Sequence, residues 1–314
     1  MNSVYIGIDL AWGEKNLSGF CVLLKEKNRL KILDLKLLKT IEEIIDELKK
    51  YDQYKIFLGI DAPLIIPNET ANREIEKQFN KDFSKYKISM LPVNKKILTK
   101  YTQTIRSEEL FFKLTDLGYK RDYKSDKVIF EVYPHATIAI CFNNHNILPY
   151  KRKKGRSVSF IKEQLLQYKK FLQKEILSYD IFKEDILTYR GQKLKDYEDK
   201  LDAITCAFTM SYCQNNERRF YKLDGVDTFV TPISKWRVYI LRCSDDTLYT
   251  GITTNLQKRL YEHNNSKLGA KYTKVRRPVE LVYWQNADDR VDASKKEYAI
   301  KQLSRKEKLR LINV

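Results

Sequence analysis

Apolar and polar positions alternate from the start of the chain, and the alternation predicts strands. Val4 to Asp9 is β-branched and ends in an aspartate, the pattern of a buried strand. Ser18 to Leu24 reads as its hairpin partner, joined through Gly13, and Leu30 to Leu38 as a third strand. The period then lengthens. Thr40 stands as an N-cap before Ile41, Ile44, Ile45 and Leu48, which fall at helical spacing. Ile56 to Asp61 is a fourth strand, again ending in aspartate, before a Pro63/Pro67 loop. Val128 to Tyr133 predicts a fifth strand. Lys151 to Arg156 (KRKKGR) reads as a basic surface loop before a helix around Phe160 to Leu172. A helix from about Lys193 to Tyr212, with Leu201, Ile204, Phe208 and Met210 among its apolar positions, closes this part.

Asp224 to Ser234 holds Gly225, Pro232 and a run of polar residues, so a boundary is expected near Ser234, giving domains 1–234 and 235–314. Beyond it the pattern is compact. A strand from Val238 to Arg242, a turn at Ser244-Asp245-Asp246 and a strand from Leu248 to Gly251 come first. Asn255 caps a helix through His263, and a loop to Arg277 rich in Lys and Arg follows. Pro278 precedes a strand from Val279 to Trp284, and a helix carries Lys295, Glu297 and Lys301.

Composition narrows the class. Hydrophobic content of 43% and aromatic content of 12% fit a globular protein. The five cysteines are scattered and never spaced CxxC, which argues against a zinc ribbon or disulfide framework and fits a reducing cytoplasm. Three histidines make a His-rich metal site a poor reading. No secretion signal and no bilayer-length apolar run is expected. The net charge of +18 points to a polyanionic partner. From Lys235 onward eighteen Lys/Arg face nine Asp/Glu, so half the excess lies in about a quarter of the chain.

Val238-Tyr239-Ile240 and Tyr249-Thr250-Gly251 form a spaced pair of tyrosine motifs, followed by Arg259, His263 and Glu297. With GAKYT and RRPVELVY between them, the stretch Trp236 to Ile312 resembles the small stand-alone bacterial GIY-YIG proteins. Val238 and Thr250 depart from that pattern without removing a reactive side chain. The resemblance implies phosphodiester hydrolysis with Glu297 as the single protein ligand of Mg²⁺ or Mn²⁺. It implies a phenolate from Tyr239 or Tyr249 as general base, the choice between them open. A free phenol titrates near ~10, so a nearby cation must favour its ionisation. Arg259 would clamp the scissile phosphate and His263 assist proton transfer. Lys271, Tyr272, Lys274, Arg276 and Arg277 combine charge and an aromatic ring, which suits contact with a nucleic-acid strand.

Three strands, a helix and a fourth strand are the opening of an RNase H-like fold. The strings IGIDLAWG, IDAPL, FEVYPHA and YEDKLDAITCAF, spread over Val4 to Pro232, resemble domain of unknown function 429, viewed as RNase H-like nucleases. The fold class expected is therefore an RNase H-like mixed α/β sheet with flanking helices, then a small α+β domain with a three-stranded antiparallel sheet. The resemblance implies an acidic metal site built from Asp9, Asp61, Glu131, Asp199 and Asp202, with Asp9, Asp61 and Asp202 catalytic. Arg73 reads as a surface ion pair with Glu69 or Glu76. Sugar kinases of related fold need glycine-rich phosphate segments, and ten glycines in no such arrangement exclude them.

The leading expectation is a cytoplasmic metal-dependent endonuclease with two centres acting on DNA, in repair or in defence. The rivals are a single GIY-YIG centre with an N-terminal recognition platform, and a non-catalytic nucleic-acid-binding protein.

Overall fold

The computed structural model describes residues 2–312, apart from 14, 27–28, 101–103, 144, 178, 216, 234–235, 288–289 and the side chain of 257. The chain divides into two compact units, 1–233 and 234–314; Ser234, where the boundary is expected, lies outside the described residues.

In the first unit the elements run β1 (Ser3–Asp9), β2 (Ser18–Glu26), β3 (Arg29–Leu38), α1 (Ile41–Lys49), β4 (Lys55–Ile60) and α2 (Glu74–Phe83). They continue with α3 (Lys95–Leu98), α4 (Arg106–Asp116), β5 (Lys127–Glu131), α5 (Pro134–Thr137), α6 (Val158–Glu175) and α7 (Gly191–Asn215). β6 (Arg218–Leu223) and β7 (Val226–Pro232) complete the unit. Its seven-stranded sheet has the order β3-β2-β1-β4-β5-β7-β6. The first three strands are antiparallel, and β1, β4, β5 and β7 run parallel. This is the mixed α/β sheet expected.

Side chains alternate across the strands and feed two cores. Tyr5, Phe57 and Phe130 pack under α6 and α7, with Tyr168, Leu201 and Ile204. Ile6, Ile8, Leu58 and Val22 pack on the other face, under Ile44 of α1 and Leu110 of α4. The N-cap predicted at Thr40 is present, and Glu43 completes it as a capping box. α7 lies unusually close to the sheet because two strand positions lack side chains. A Cβ at Gly7 would fall 2.0 Å from the Ala203 carbonyl oxygen, and one at Gly19 2.3 Å from that of Asp199. That approach brings the carboxylates of α7 to the C-terminal ends of β1 and β4.

Up to Pro232, the segment read as the approach to the boundary supplies the turn and second strand of the hairpin β6–β7, and β7 lies between β5 and β6 with Phe229 beside Glu131. Asp224 and Gly225 form the hairpin's two-residue turn, both with positive φ, 48° and 78°.

The second unit runs β8 (Trp236–Cys243), β9 (Leu248–Thr253), α8 (Leu256–Asn265), α9 (Lys271–Lys274), β10 (Val279–Ala287), α10 (Arg290–Gln302) and α11 (Arg305–Ile312). Its antiparallel sheet has the order β10-β8-β9, with α10 packed on β8 and β9. Among the described residues no helix is long and apolar enough to cross a membrane.

Candidate functional site

In the second unit, β8 and β9 pair Tyr239 with Gly251. A Cβ at Gly251 would sit 2.5 Å from the Tyr239 hydroxyl, so the glycine leaves the space that the phenol oxygen fills. Asn255 caps α8 by accepting from the Lys258 amide, and the helix presents Arg259 and His263 one turn apart on the same side. The Tyr239 oxygen lies 2.8 Å from His263 Nε2 and accepts from Arg259 Nε at 3.3 Å. His263 Nδ1 lies 2.7 Å from the Thr273 hydroxyl. The Tyr249 ring packs edge-on to His263 at 5.2 Å and stacks on Tyr272 at 6.1 Å, and Arg276 covers Tyr272 at 4.1 Å.

Tyr239, His263 and Thr273 are buried. Burial pushes the Tyr239 phenol up to about 12 although Arg259 favours its ionised form, with Glu297 close enough to oppose that form. Burial, and then the charge of Arg259, pushes His263 down to about 4, so its ring is neutral near pH 7. Arg259 also donates from Nη1 to Glu262 at 2.7 Å and to the Leu268 carbonyl at 3.2 Å. Glu297, on α10, pairs with Lys301 at 2.9 Å and is one-fifth exposed.

In the first unit a cleft of about 430 Å³ opens at the ends of β1 and β4, lined by Asp9, Asp61, Asp199, Lys151, Lys195 and Trp12 among others. The amide of Asp61 donates to the Ile8 carbonyl, which holds the two strand-end aspartates side by side. Asp202, fully buried on α7, accepts from Tyr150 at 2.7 Å and Tyr168 at 3.0 Å. Lys151, expected on a surface loop, instead reaches in to pair with Asp202 and, at 3.2 Å, with Glu198. Lys195 pairs with Asp199 and with Glu198. Burial lifts Asp9 well above the carboxylate range and Asp61 to about 7, against the pull of Lys151. Burial would lift Asp202 as well, but Lys151 and the hydrogen bond from Tyr150 hold it low.

Asp9, Asp61, Asp199 and Asp202 therefore act on one another, while Glu131 lines the same cleft with its carboxylate held by other partners. Its Oε1 accepts from the Leu64 amide at 2.8 Å and Arg73 at 2.9 Å, and its Oε2 from Arg73 at 2.9 Å. Both oxygens of Glu131 are thus committed to the buried Arg73. Arg73 is correspondingly buried, with Glu76 as its second carboxylate, and not a surface pair. Among the described residues no three of His, Cys, Asp and Glu are grouped to hold a metal ion. In the cleft two ammonium groups, those of Lys151 and Lys195, pair with the carboxylates.

In the second unit Lys271, Tyr272 and Lys274 are exposed on α9, as a strand contact needs. Arg277 is spent differently, donating to the His263 and Ser266 carbonyls at 2.6 Å each and so satisfying the orphan end of α8. Arg276 is tied to Asp245 at 2.9 Å. Sequence reasoning missed Lys151, Tyr150, Tyr168, Lys195 and Thr273. Thr273 lay inside the quoted motif GAKYT, and Lys151 opened the quoted run KRKKGR.

A three-stranded sheet that sets a buried tyrosine against a histidine and an arginine, with a glutamate helix behind, defines a GIY-YIG nuclease domain. Residues 235–310 match the GIY-YIG catalytic domain. The chain belongs to the family described as protein of unknown function DUF429, which matches residues 7–224. The C-terminal stretch is 60% identical to a UPF0213 protein of Desulfotalea psychrophila, over 24% of this chain and 70% of that one. It is 59% identical to the UPF0213 protein of Syntrophus aciditrophicus, over 26% and 92%. The solution NMR structure of a UPF0213 protein from Bacillus halodurans is 40% identical, covering 25% of this chain and 83% of its own, with a TM-score of 0.18.

Proposed function

We propose that the protein is a metal-dependent endonuclease that cuts nucleic acid, DNA rather than RNA, at the Tyr239 site. The observation that carries this reading is the Tyr239 oxygen held between His263 Nε2 and Arg259 Nε with Glu297 close by. The residues fit a single hard divalent ion. Glu262 is already tied to Arg259 at 2.7 Å, whereas Glu297 acts on the Tyr239 phenol, is partly exposed, and pairs through Oε1 with the exposed Lys301 at 2.9 Å. Glu297 would hold Mg²⁺ or Mn²⁺, whose positive charge favours the phenolate and polarises the phosphate.

Burial holds the Tyr239 phenol up at about 12 and the His263 imidazole down at about 4, so proton transfer from one to the other is uphill. The resting site therefore keeps the phenol protonated, and activation belongs to the loaded site. There Tyr239 passes its proton to His263 Nε2 as it takes one from the attacking water. The hydroxide forms a new P–O bond, the bond to the leaving sugar oxygen breaks, and that oxygen is protonated from solvent. Arg259 binds the phosphate charge, and Tyr249 orients the water. Lys271, Tyr272 and Lys274 contact the neighbouring strand.

For the N-terminal cleft the lysine–carboxylate pairing of Lys151 and Lys195 favours a recognition platform over a second, RNase H-like cutting centre. Labelled single-stranded, duplex and branched DNA and RNA, incubated with Mg²⁺ or Mn²⁺, test both readings. Cleavage lost in Glu297→Ala and kept in Asp9→Asn and Asp61→Asn supports them. A wild-type protein inert toward every polynucleotide sinks the first, and cleavage abolished by Asp9→Asn sinks the second.

A further inference from the structure

We infer that Thr273 is a positioning residue that fixes the tautomer of His263, leaving Nε2 bare to accept the Tyr239 proton. The inference deepens the proposed reaction and rests on it for its catalytic meaning, but its geometry stands alone. A neutral imidazole carries one ring proton, on Nδ1 or on Nε2, and its neighbours decide which. The Thr273 hydroxyl donates to the Ala270 carbonyl at 3.0 Å. Having one proton, it can then only accept from His263 Nδ1 at 2.7 Å. Nδ1 is thereby the protonated nitrogen, and Nε2 accepts from the Tyr239 hydroxyl at 2.8 Å.

The four bonds form one directed chain. Arg259 Nε–H donates to the Tyr239 oxygen, Tyr239 to His263, His263 to Thr273, and Thr273 to the Ala270 carbonyl. Every proton in it has an acceptor. The opposite tautomer breaks the chain. Nε2–H would then donate to a phenol oxygen that already accepts from Arg259, and the Tyr239 proton would meet no acceptor among the described residues. Tyr239, His263 and Thr273 are 1%, 0% and 0% exposed, so in the resting chain, before substrate and its water are bound, bulk water does not serve instead.

The local chain is built for this contact. Gly269 lets its segment lie against α8: a Cβ there would stand 2.9 Å from the Glu262 oxygen and 3.0 Å from His263 Cα. Four residues on, the first turn of α9 places Thr273 at the ring. The Gly and Thr of GAKYT thus have distinct roles, one for approach and one for proton direction.

Ring-nitrogen NMR on the full chain with isotope-labelled histidine tests this, and three histidines keep the spectrum assignable. Wild type and Thr273→Ser should show His263 protonated on Nδ1, and Thr273→Val should shift it toward Nε2–H. In cleavage, Thr273→Val should lower kcat by roughly 10²-fold or more with KM little changed, and Thr273→Ser should restore it. An Nε2–H signal in wild type overturns the inference, as does an unaltered Nδ1–H signal in Thr273→Val. Should Thr273→Val not fold, the wild-type and Thr273→Ser spectra still decide. A protein inert on all substrates would remove the proposed reaction without touching the tautomer result.

Discussion

Lys151 sets its ammonium on the buried carboxylate of Asp202, in the middle of four aspartates that the sequence assigns to a metal. A divalent ion and an ammonium compete for the same oxygens. Lys151→Met leaves Asp202 buried and unpaired, and should cost about 3–5 kcal/mol of stability. Mn²⁺ should raise the melting temperature of Lys151→Met more than that of wild type, with Glu297→Ala in both backgrounds to remove the other ligand. Equal shifts by calorimetry would show that the lysine does not guard the cleft.

Glu131 and Arg73 behave as a structural pair, so their removal should read in stability and not in metal affinity. Glu131→Ala leaves a buried guanidinium with Glu76 as its remaining carboxylate partner. A loss of about 3–5 kcal/mol in denaturant titration is expected. Replacing Arg73 and Glu131 together by apolar residues should recover part of it. Loss of Mn²⁺ affinity in Glu131→Gln without loss of stability would return Glu131 to the metal site.

These two corrections show where sequence stops. The strand alternation from Val4 to Ile60 is local and carries its own period, so strands and faces were legible. The same holds for Thr40 as an N-cap, and for Tyr239, Tyr249, Arg259, His263 and Glu297, whose spacing is a motif. Glu131 was ambiguous because a strand-end carboxylate looks the same whether its partner is a cation or Arg73, 58 residues away. Lys151 was hidden in a charge run whose other members stay outside the cleft. The hairpin β6–β7 did leave a local mark, Asp224-Gly225, the residue pair that a two-residue turn with positive φ favours. What left no local mark is the partner of β7, since the strand it joins lies about a hundred residues earlier.

Gly251 makes room for a hydroxyl rather than for a turn, and that gives it a distinct signature. Gly251→Ala places a methyl 2.5 Å from the Tyr239 oxygen and must push the ring from Arg259 and His263. A shift of about 1 Å in a reacting group can cost on the order of 10²-fold, so turnover should fall by that order. Binding of a labelled strand through Lys271 and Lys274 should persist. Gly251→Ala cleaving like wild type would remove the Tyr239 oxygen from the reacting atoms.

His263 ties stability to pH with a defined sign. Its folded value is about 4, below the free imidazole value of 6.5, because burial and Arg259 disfavour the imidazolium. Between those values the unfolded chain binds the proton and the folded chain does not, so stability rises with pH across the window. The contribution is complete above about pH 6.5, is lost as pH falls, and is gone below about 4, a total of roughly 3 kcal/mol. His135 is also buried and pushed down to about 4, so wild type alone does not isolate the effect. The measurement is the difference between wild type and His263→Gln in denaturant titrations from pH 7 to pH 4. The wild-type curve should fall more steeply over that range, and parallel curves would mean that His263 accepts a proton in the folded state as readily as in the unfolded chain.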